Sequence, residues 1–387
     1  MIYVNRPFAV TALGMTPGEA ESSLREGRSR YLSSLEGFLP DGRPAHLARL
    51  PELPGGTAFR CTDLAGYRAG QIREVIDAAS ERYGRDRVGV VAGTSTSAVN
   101  DVEDRLRPFF RKDAPLPCDP DILAVNCIAD HLRRSLDLLG PCYTVTTACS
   151  SSARALISAA RLILGDVCDA VIAVSADTLS RISIGGFDSL GALSCDPCQP
   201  FHRERKGINI GEGAGIALVA REALSPDHLL LLGWGASSDA YHVSSPDPTG
   251  QGAIRAMGDA LRMAGIRPGD LGYVNAHGTG TRLNDAMEGR AVAELCGSRV
   301  PVSSTKHLTG HTLGTCGLAE CFICALLLGR GVPLPYHDYA PEDFREEFPD
   351  LDLICTPGRP LERPFVMSNS FAFGGNNVSL VFGAPDA

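Results

Sequence analysis

Two stretches decide the reading of this chain: TVTTACSSSARALISAARLI, residues 144–163, and PVSSTKHLTGHTLGTCGLAECFICALLL, residues 301–328. Each runs from a short β-branched segment through a turn of Gly, Ser and Thr into an apolar helix of small residues. Two such units in one chain predict a duplicated α/β body whose small-residue helices pack together. Outward from them, apolar runs at residues 88–91, 142–147, 170–174, 216–219, 229–232, 272–275, 300–303 and 378–382 predict strands. Helical periodicity at residues 66–82, 121–138, 150–164, 252–265, 285–296 and 318–328 falls between the strands. Residues 30–60 and 333–364 carry Pro and little periodicity, so they read as surface excursions. Ser225, Pro226 and Asp227 form a connector that divides the chain into residues 1–226 and 227–387.

The bulk numbers agree with a globular protein. Of 387 residues, 44% are hydrophobic and 21% charged, enough to bury a large core. A net charge of -9 argues against nucleic acid as a main partner, since phosphate binding needs a basic surface. The 13 cysteines are scattered. The CxxC pairs Cys195/Cys198 and Cys321/Cys324 lack partner pairs at zinc-ribbon distance, so most cysteines read as small buried hydrophobes in a reducing compartment. Asn5 and Arg6 interrupt the apolar N-terminus, which has no signal-peptide layout. No apolar run is read as approaching the roughly 20 residues that span a bilayer. A cytoplasmic protein without a membrane span is expected.

Cys149 follows a strand and precedes Ser150-Ser151-Ser152-Ala153, which opens a helix. A helix N-terminus carries free N–H groups and an effective charge of about +0.5. It favours thiolate over thiol and can hold an oxyanion when the sulfur attacks a thioester. In the second half, His277 sits in Asn275-Ala276-His277-Gly278-Thr279-Gly280-Thr281, and His311 in Thr309-Gly310-His311-Thr312. Both histidines lie beside glycine just ahead of a helix, in the kind of open loop mouth where backbone approaches a ligand. Thr279 and Thr281 offer hydroxyls to a polar ligand. His131 and His307 lack this setting and read as structural, while His242 stays undecided.

Taken together, TACSSS around Cys149, HGTGT from His277, TKHLTGHTLG with Lys306 and His311, and NSFAFGGNN with Phe373 resemble the elongating (type I/II) β-ketoacyl-acyl-carrier-protein synthases. PFHRERKGINIGEGAG (residues 200–215) and SSDAYHVSSPDP (residues 237–248) are similar to that family too, and the motifs keep its order along most of the chain. The resemblance implies a thiolase-like fold, five layers αβαβα from two pseudo-duplicated halves, forming a dimer. It implies that Cys149 accepts the acyl group and that His277 and His311 support decarboxylation of a malonyl thioester. Lys306 would order the site with Glu320, and Thr279 and Thr281 would face phosphopantetheine. The Phe373 N–H would complete an oxyanion hole while its ring gates the acyl pocket, and Ala124 would mark the pocket's depth. No metal or other cofactor is implied, because acyl carrier protein brings both substrates on phosphopantetheine.

The departures from the family are His202 in place of Asp, Ala372 in place of Gly and Asn376 in place of Thr. The Ala would stiffen a mobile loop. The runs TACSSSARALISAARLI and ADTLSRISIGGFDSL look most like synthases of bacterial aryl polyene pathways, which work beside a chain-length-factor partner. Homodimer and heterodimer both stay open. Arg203, Arg205, Lys206, Arg133 and Arg134 are candidates for docking the acidic carrier, or else plain solvated charges. A non-catalytic chain-length factor would lack the cysteine. A degradative thiolase would carry a second cysteine where SFAFGGNN has none, and an initiating synthase would replace HGTGT with an Asn-bearing motif. A cysteine hydrolase leaves HGTGT and FGGNN unexplained.

Overall fold

This computed structural model describes residues 1–53, 56, 59–112 and 124–385. Its first half runs β1 (Ile2–Val10), α1 (Pro17–Glu26), β2 (Leu32–Leu35), β3 (Ala45–Ala48), α2 (Arg60–Gln71), α3 (Arg73–Tyr83) and β4 (Val88–Gly93). It continues through α4 (Val99–Phe110), α5 (Cys127–Ser135), β5 (Cys142–Val145), α6 (Ser151–Leu164), β6 (Ala170–Asp177), α7 (Arg181–Ser189) and β7 (Gly213–Ala220). The second half runs β8 (His228–Ser238), α8 (Gln251–Ala264), β9 (Tyr273–Asn275), α9 (Arg282–Cys296), β10 (Pro301–Ser303) and α10 (Lys306–Thr309). It ends with α11 (Cys316–Arg330), β11 (Asp352–Leu353), β12 (Phe365–Ala372) and β13 (Asn376–Gly383).

The two halves repeat one topology. The first is ordered β5-β4-β6-β7-β1 and the second β10-β9-β12-β13-β8, with β11 added outside β10. Strand directions repeat as well. β4 pairs parallel with β5 and β6, and β9 with β10 and β12, while β6·β7, β7·β1, β12·β13 and β13·β8 are antiparallel. β1 also pairs antiparallel with β8, from Ile2↔Leu231 to Asn5↔His228, so the halves share one 11-stranded sheet. Nothing in the sequence pattern signalled this seam.

Strand period explains the layers. Along β6, Ala170, Ile172, Val174 and Ala176 enter an outer core with α2 and α5, whereas Val171 and Ala173 enter the central core. The central core mixes residues of both halves, among them Leu156 and Ile163 of α6, Phe322 and Leu326 of α11, and Val366 and Leu380 of β12 and β13. A third core lies under α8 and α9, with Met257, Val274, Val292 and Met367. Helices thus cover both outer faces and fill the middle, giving the five αβαβα layers of a thiolase-like fold.

Several sequence expectations need correction. The helix expected at 66–82 is two helices, broken at Ile72. The helix expected from 121 starts at Cys127, and residues 121–123 lie outside the described residues. The region 30–60 contains the β2–β3 hairpin, with Ala45, Leu47 and Leu50 buried. In the region 333–364, Phe344, Phe348 and Leu351 join the third core. β1 and β12 escaped the strand reading, β12 because FVMSNSFA is interrupted by Ser and Asn. These polar groups are satisfied inside: Ser368 donates to Glu320, and Asn369 donates to Glu288 and accepts from Ser379. The segment Leu313–Arg330 is apolar and long enough by composition to cross a membrane, but 78% of it is buried as the central helix.

Candidate active site

A left-handed Ala148 (φ 51) ends the strand side of the first elbow and delivers Cys149 to the start of α6. A non-glycine residue in this conformation costs about 1–2 kcal/mol and persists only where its surroundings enforce it. The Ser150 N–H donates to Thr147 O at 3.3 Å, and the Ser151 N–H to Ala148 O at 3.1 Å. The Ser150 and Ser151 amides are therefore engaged in the turn, and the Cys149 N–H is the backbone amide that favours the thiolate. Burial pushes the Cys149 thiol well above its ordinary range, nearby Cys316 adds to the push, and Lys306 opposes it. Burial therefore favours the thiol form of Cys149.

His277 leaves the end of β9 on a backbone held by a buried carboxylate. Glu288 of α9 accepts from the His277 N–H and the Gly278 N–H, each at 2.7 Å. Burial pushes Glu288 up to about 7, while those two amides pull the other way. The loop needs its glycines: a Cβ on Gly280 (φ +74) would lie 2.6 Å from Cys198 Sγ. Asp285, one turn before Glu288, accepts from the Gly280 and Phe201 N–H groups.

His311 is fixed through its own backbone, its N–H donating to Asn209 O at 2.6 Å and its carbonyl accepting from Gly211. One ligand atom from each of Cys149, His277 and His311 falls within 4.8 Å of the others. The imidazoles meet edge to face, 5.3 Å between centroids. Burial and the Lys306 ammonium hold both well below the ordinary histidine range, so both are neutral. Lys306 Nζ lies 2.7 Å from Glu320 Oε1, and Glu320 also accepts from Ser368. Burial favours loss of the Lys306 proton, but Glu320, Cys316 and Glu288 together outweigh it and the ammonium stays charged. A thiol and two imidazoles could in principle take zinc, yet a second cation beside this buried ammonium would be repelled.

The three groups open into a cavity of about 420 Å³, whose wall includes Thr279, Thr281, Phe371, Ala372 and Phe373. Phe373 packs on Phe187 of α7, 5.5 Å between ring centroids. Thr279 and Thr281 share a hydrogen bond at 2.9 Å. Ala124 is exposed and is not part of this wall. Ala372 has an extended backbone (φ -103) that any residue adopts, and the left-handed positions are Gly374 and Gly375. His202 lies 3.6 Å from Asp343 and against Tyr339, while Asp285 serves the backbone of Phe201. Arg205 is 3% exposed and paired with Glu347 and Asp285, which removes it from the docking candidates.

Sequence reasoning missed Glu288, Asp285, Cys316, Phe187 and Asp177. Two acids three apart on an apolar helix, in NDAMEGRAV, were a usable signal for the first two. Asp177 ends β6 and accepts from Thr94, Ser95, Thr96 and Thr315, tying the first half to the start of α11.

The fold thus gathers one thiol and two imidazoles on the wall of one cavity, and the family matches define an acyl-transferring enzyme. Residues 69–224 match the family model of the beta-ketoacyl synthase N-terminal domain, and residues 228–339 that of its C-terminal domain. A 3-oxoacyl-[acyl-carrier-protein] synthase 2 of Coxiella burnetii is 33% identical over 76% of this chain and 75% of its own length. Among solved structures, the ketosynthase ApeO of Xenorhabdus doucetiae, in complex with its chain length factor ApeC, superposes with a TM-score of 0.92 and 41% identity, over 99% of this chain and 98% of that one. The ishigamide ketosynthase/chain length factor superposes with a TM-score of 0.84 and 25% identity, over 99% of this chain and 98% of that one. The chain belongs to the β-ketoacyl synthase family and is an acyltransferase that acts by decarboxylative condensation.

Proposed function

We propose that Cys149 takes the acyl group from an acyl-carrier-protein thioester, releasing the carrier thiol, and then donates it to malonyl-carrier protein. The malonyl unit loses CO2, and its enolate carbon attacks the Cys149 thioester. The β-ketoacyl product forms, and one proton restores the Cys149 thiol. The observation that carries this reading is the meeting of one thiol and two neutral imidazoles within 4.8 Å on the wall of a cavity. Two neutral imidazoles can each donate to the enolate oxygen without giving up a proton. Burial, helped by Lys306 paired with Glu320, keeps them neutral. Thr279 and Thr281 line the route of phosphopantetheine, which carries the substrates without a metal or other cofactor. Phe373 gates the acyl side, and its N–H joins that of Cys149 around the oxyanion. Residues 1–226 would carry the thiol and residues 227–387 both imidazoles.

For the pathway, we infer aryl polyene synthesis in the cytoplasm, supported by the 41% identity to ApeO. A chain-length-factor subunit is the partner we favour, because both ketosynthase structures above contain one. The outer strand β5, Cys142–Val145, is half-buried and offers an edge for its docking. Ala124, on the surface, could set chain length only if the partner closed over it.

Intact-mass measurement after incubation with acyl-carrier thioesters tests the reading. Wild type should gain the acyl mass and Cys149→Ala should not; an adduct retained by the variant would remove Cys149 from the mechanism. Co-expression with a chain-length-factor-like protein should give a heterodimer, and its absence would refute the partner assignment.

A further inference from the structure

His311 Nδ1 lies 3.1 Å from the sulfur of Cys316, the first residue of α11. Cys316 is 2% exposed and has no part in the roles given so far. A second group reaches the same nitrogen: the Leu313 N–H donates to His311 Nδ1 at 3.3 Å. Leu313 is left-handed (φ 51), a conformation that a leucine adopts only under constraint. A peptide N–H can only donate, so Nδ1 must present its lone pair and the ring proton must sit on Nε2. With Nδ1 an acceptor, the Cys316 S–H donates to it as well. The Thr312 hydroxyl closes the chain by donating to Cys316 Sγ at 3.5 Å. Burial pushes the Cys316 thiol up to about 12, which keeps the S–H in place at neutral pH. His277 differs: among the described residues its Nδ1 has no hydrogen-bond partner. One imidazole of the pair is pinned through its ring, the other only through its backbone.

We propose that Cys316 is a positioning residue for condensation, its S–H and the Leu313 N–H together holding His311 in the tautomer that turns Nε2–H toward the thioester enolate. This rests on reading His311 as an enolate donor. The Cys316 proton stays on sulfur throughout, so no bond to that sulfur forms or breaks. A thiol here, rather than a methyl group, supplies a weak donor at a position that is 2% exposed.

Cys316→Ala and Cys316→Ser test the assignment, with Cys149 acylation followed by intact mass and malonyl-thioester decarboxylation followed as CO2 release. The alanine variant should acylate at the wild-type rate and decarboxylate about 5-fold more slowly, the scale of one lost hydrogen bond. The serine variant should recover most of that loss. Nitrogen-15 spectra of ring-labelled histidine should show the His311 Nδ1 resonance shifted by loss of the S–H bond in the alanine variant alone, with the Nε2–H tautomer kept by the Leu313 N–H. Unchanged decarboxylation in Cys316→Ala would overturn the proposal. So would equal loss in the Ala and Ser variants, or a matching loss of acylation. His311→Ala separates the two levels: normal decarboxylation there ends the enolate reading itself, whereas a slow His311→Ala beside a normal Cys316→Ala ends only the role of Cys316.

Discussion

Gly317 of α11 stands so close to Ala153 of α6 that a Cβ on the glycine would lie 2.4 Å from the Ala153 amide nitrogen. The central helices touch within their first turns, immediately after the elbow that carries Cys149 and the loop that carries His311. Their crossing point therefore sets the distance between thiol and imidazole. Gly317→Ala should push the helices apart, destabilising the fold by about 1–3 kcal/mol. It should also lower condensation more than its stability loss explains. Urea midpoints and condensation rates read both, and an active, fully stable variant would show that the contact is slack.

Much of this arrangement was legible. The strand–turn–helix units around Cys149 and His311 point to duplication because each pairs a β-branched run with a small-residue helix. HGTGT announces its loop because glycine is required there by a left-handed backbone and by Cys198 beside it. The seam between β1 and β8 was not legible, since backbone hydrogen bonds between distant strands leave no local pattern. Nor were the buried polar supports. Ser368, Asn369 and Glu288 look like surface residues in sequence and become core residues only because they satisfy one another. Arg205 misled for the same reason: its charge is real, but Glu347 and Asp285 hold it inside.

Lys306 and Glu320 form such a support directly beneath the imidazoles, 2.7 Å apart and both buried. Removing one partner leaves an uncompensated charge, so Glu320→Ala should destabilise by about 3–5 kcal/mol. The double variant Lys306→Met/Glu320→Leu should recover most of the stability, because an apolar pair of similar size replaces a buried ion pair without large loss. It should not recover condensation, since the cation that orders the imidazoles is gone and burial alone then holds them neutral. Calorimetry beside a condensation assay separates the outcomes, and an active double variant would reduce the pair to a packing role.

Glu288 makes stability depend on pH in a definite direction. Its folded pKa is raised by burial to about 7, above the value near 4.5 of an ordinary glutamate. A group raised on folding stabilises most when it is protonated in both states, and that contribution fades as pH climbs from about 4.5 through about 7. Wild type should accordingly lose on the order of 3 kcal/mol relative to Glu288→Gln between pH 4.5 and pH 8. Urea midpoints of the two proteins across that range measure it. A difference independent of pH would mean that Glu288 is ionised throughout at no cost.

The basic residues near the cavity should separate by burial rather than by sequence position. Lys206 is exposed, lines the cavity mouth and, among the described residues, pairs with exposed Asp196, so charge reversal there disturbs little inside. Arg205, its neighbour, holds Glu347 and the buried Asp285, whose carboxylate supports the backbone of Gly280 and Phe201. If the substrate arrives on an acidic carrier, Lys206→Glu should raise the carrier KM several-fold at low salt. The effect should fade near 0.5 M salt, where charges beyond roughly 4–5 Å are screened, and kcat and stability should stay unchanged. Arg205→Ala should instead lower stability and kcat together at every salt concentration, because two carboxylates lose their partner and the loop bearing His277 loses its brace. A salt-independent KM in Lys206→Glu would place the carrier's docking surface elsewhere on the protein.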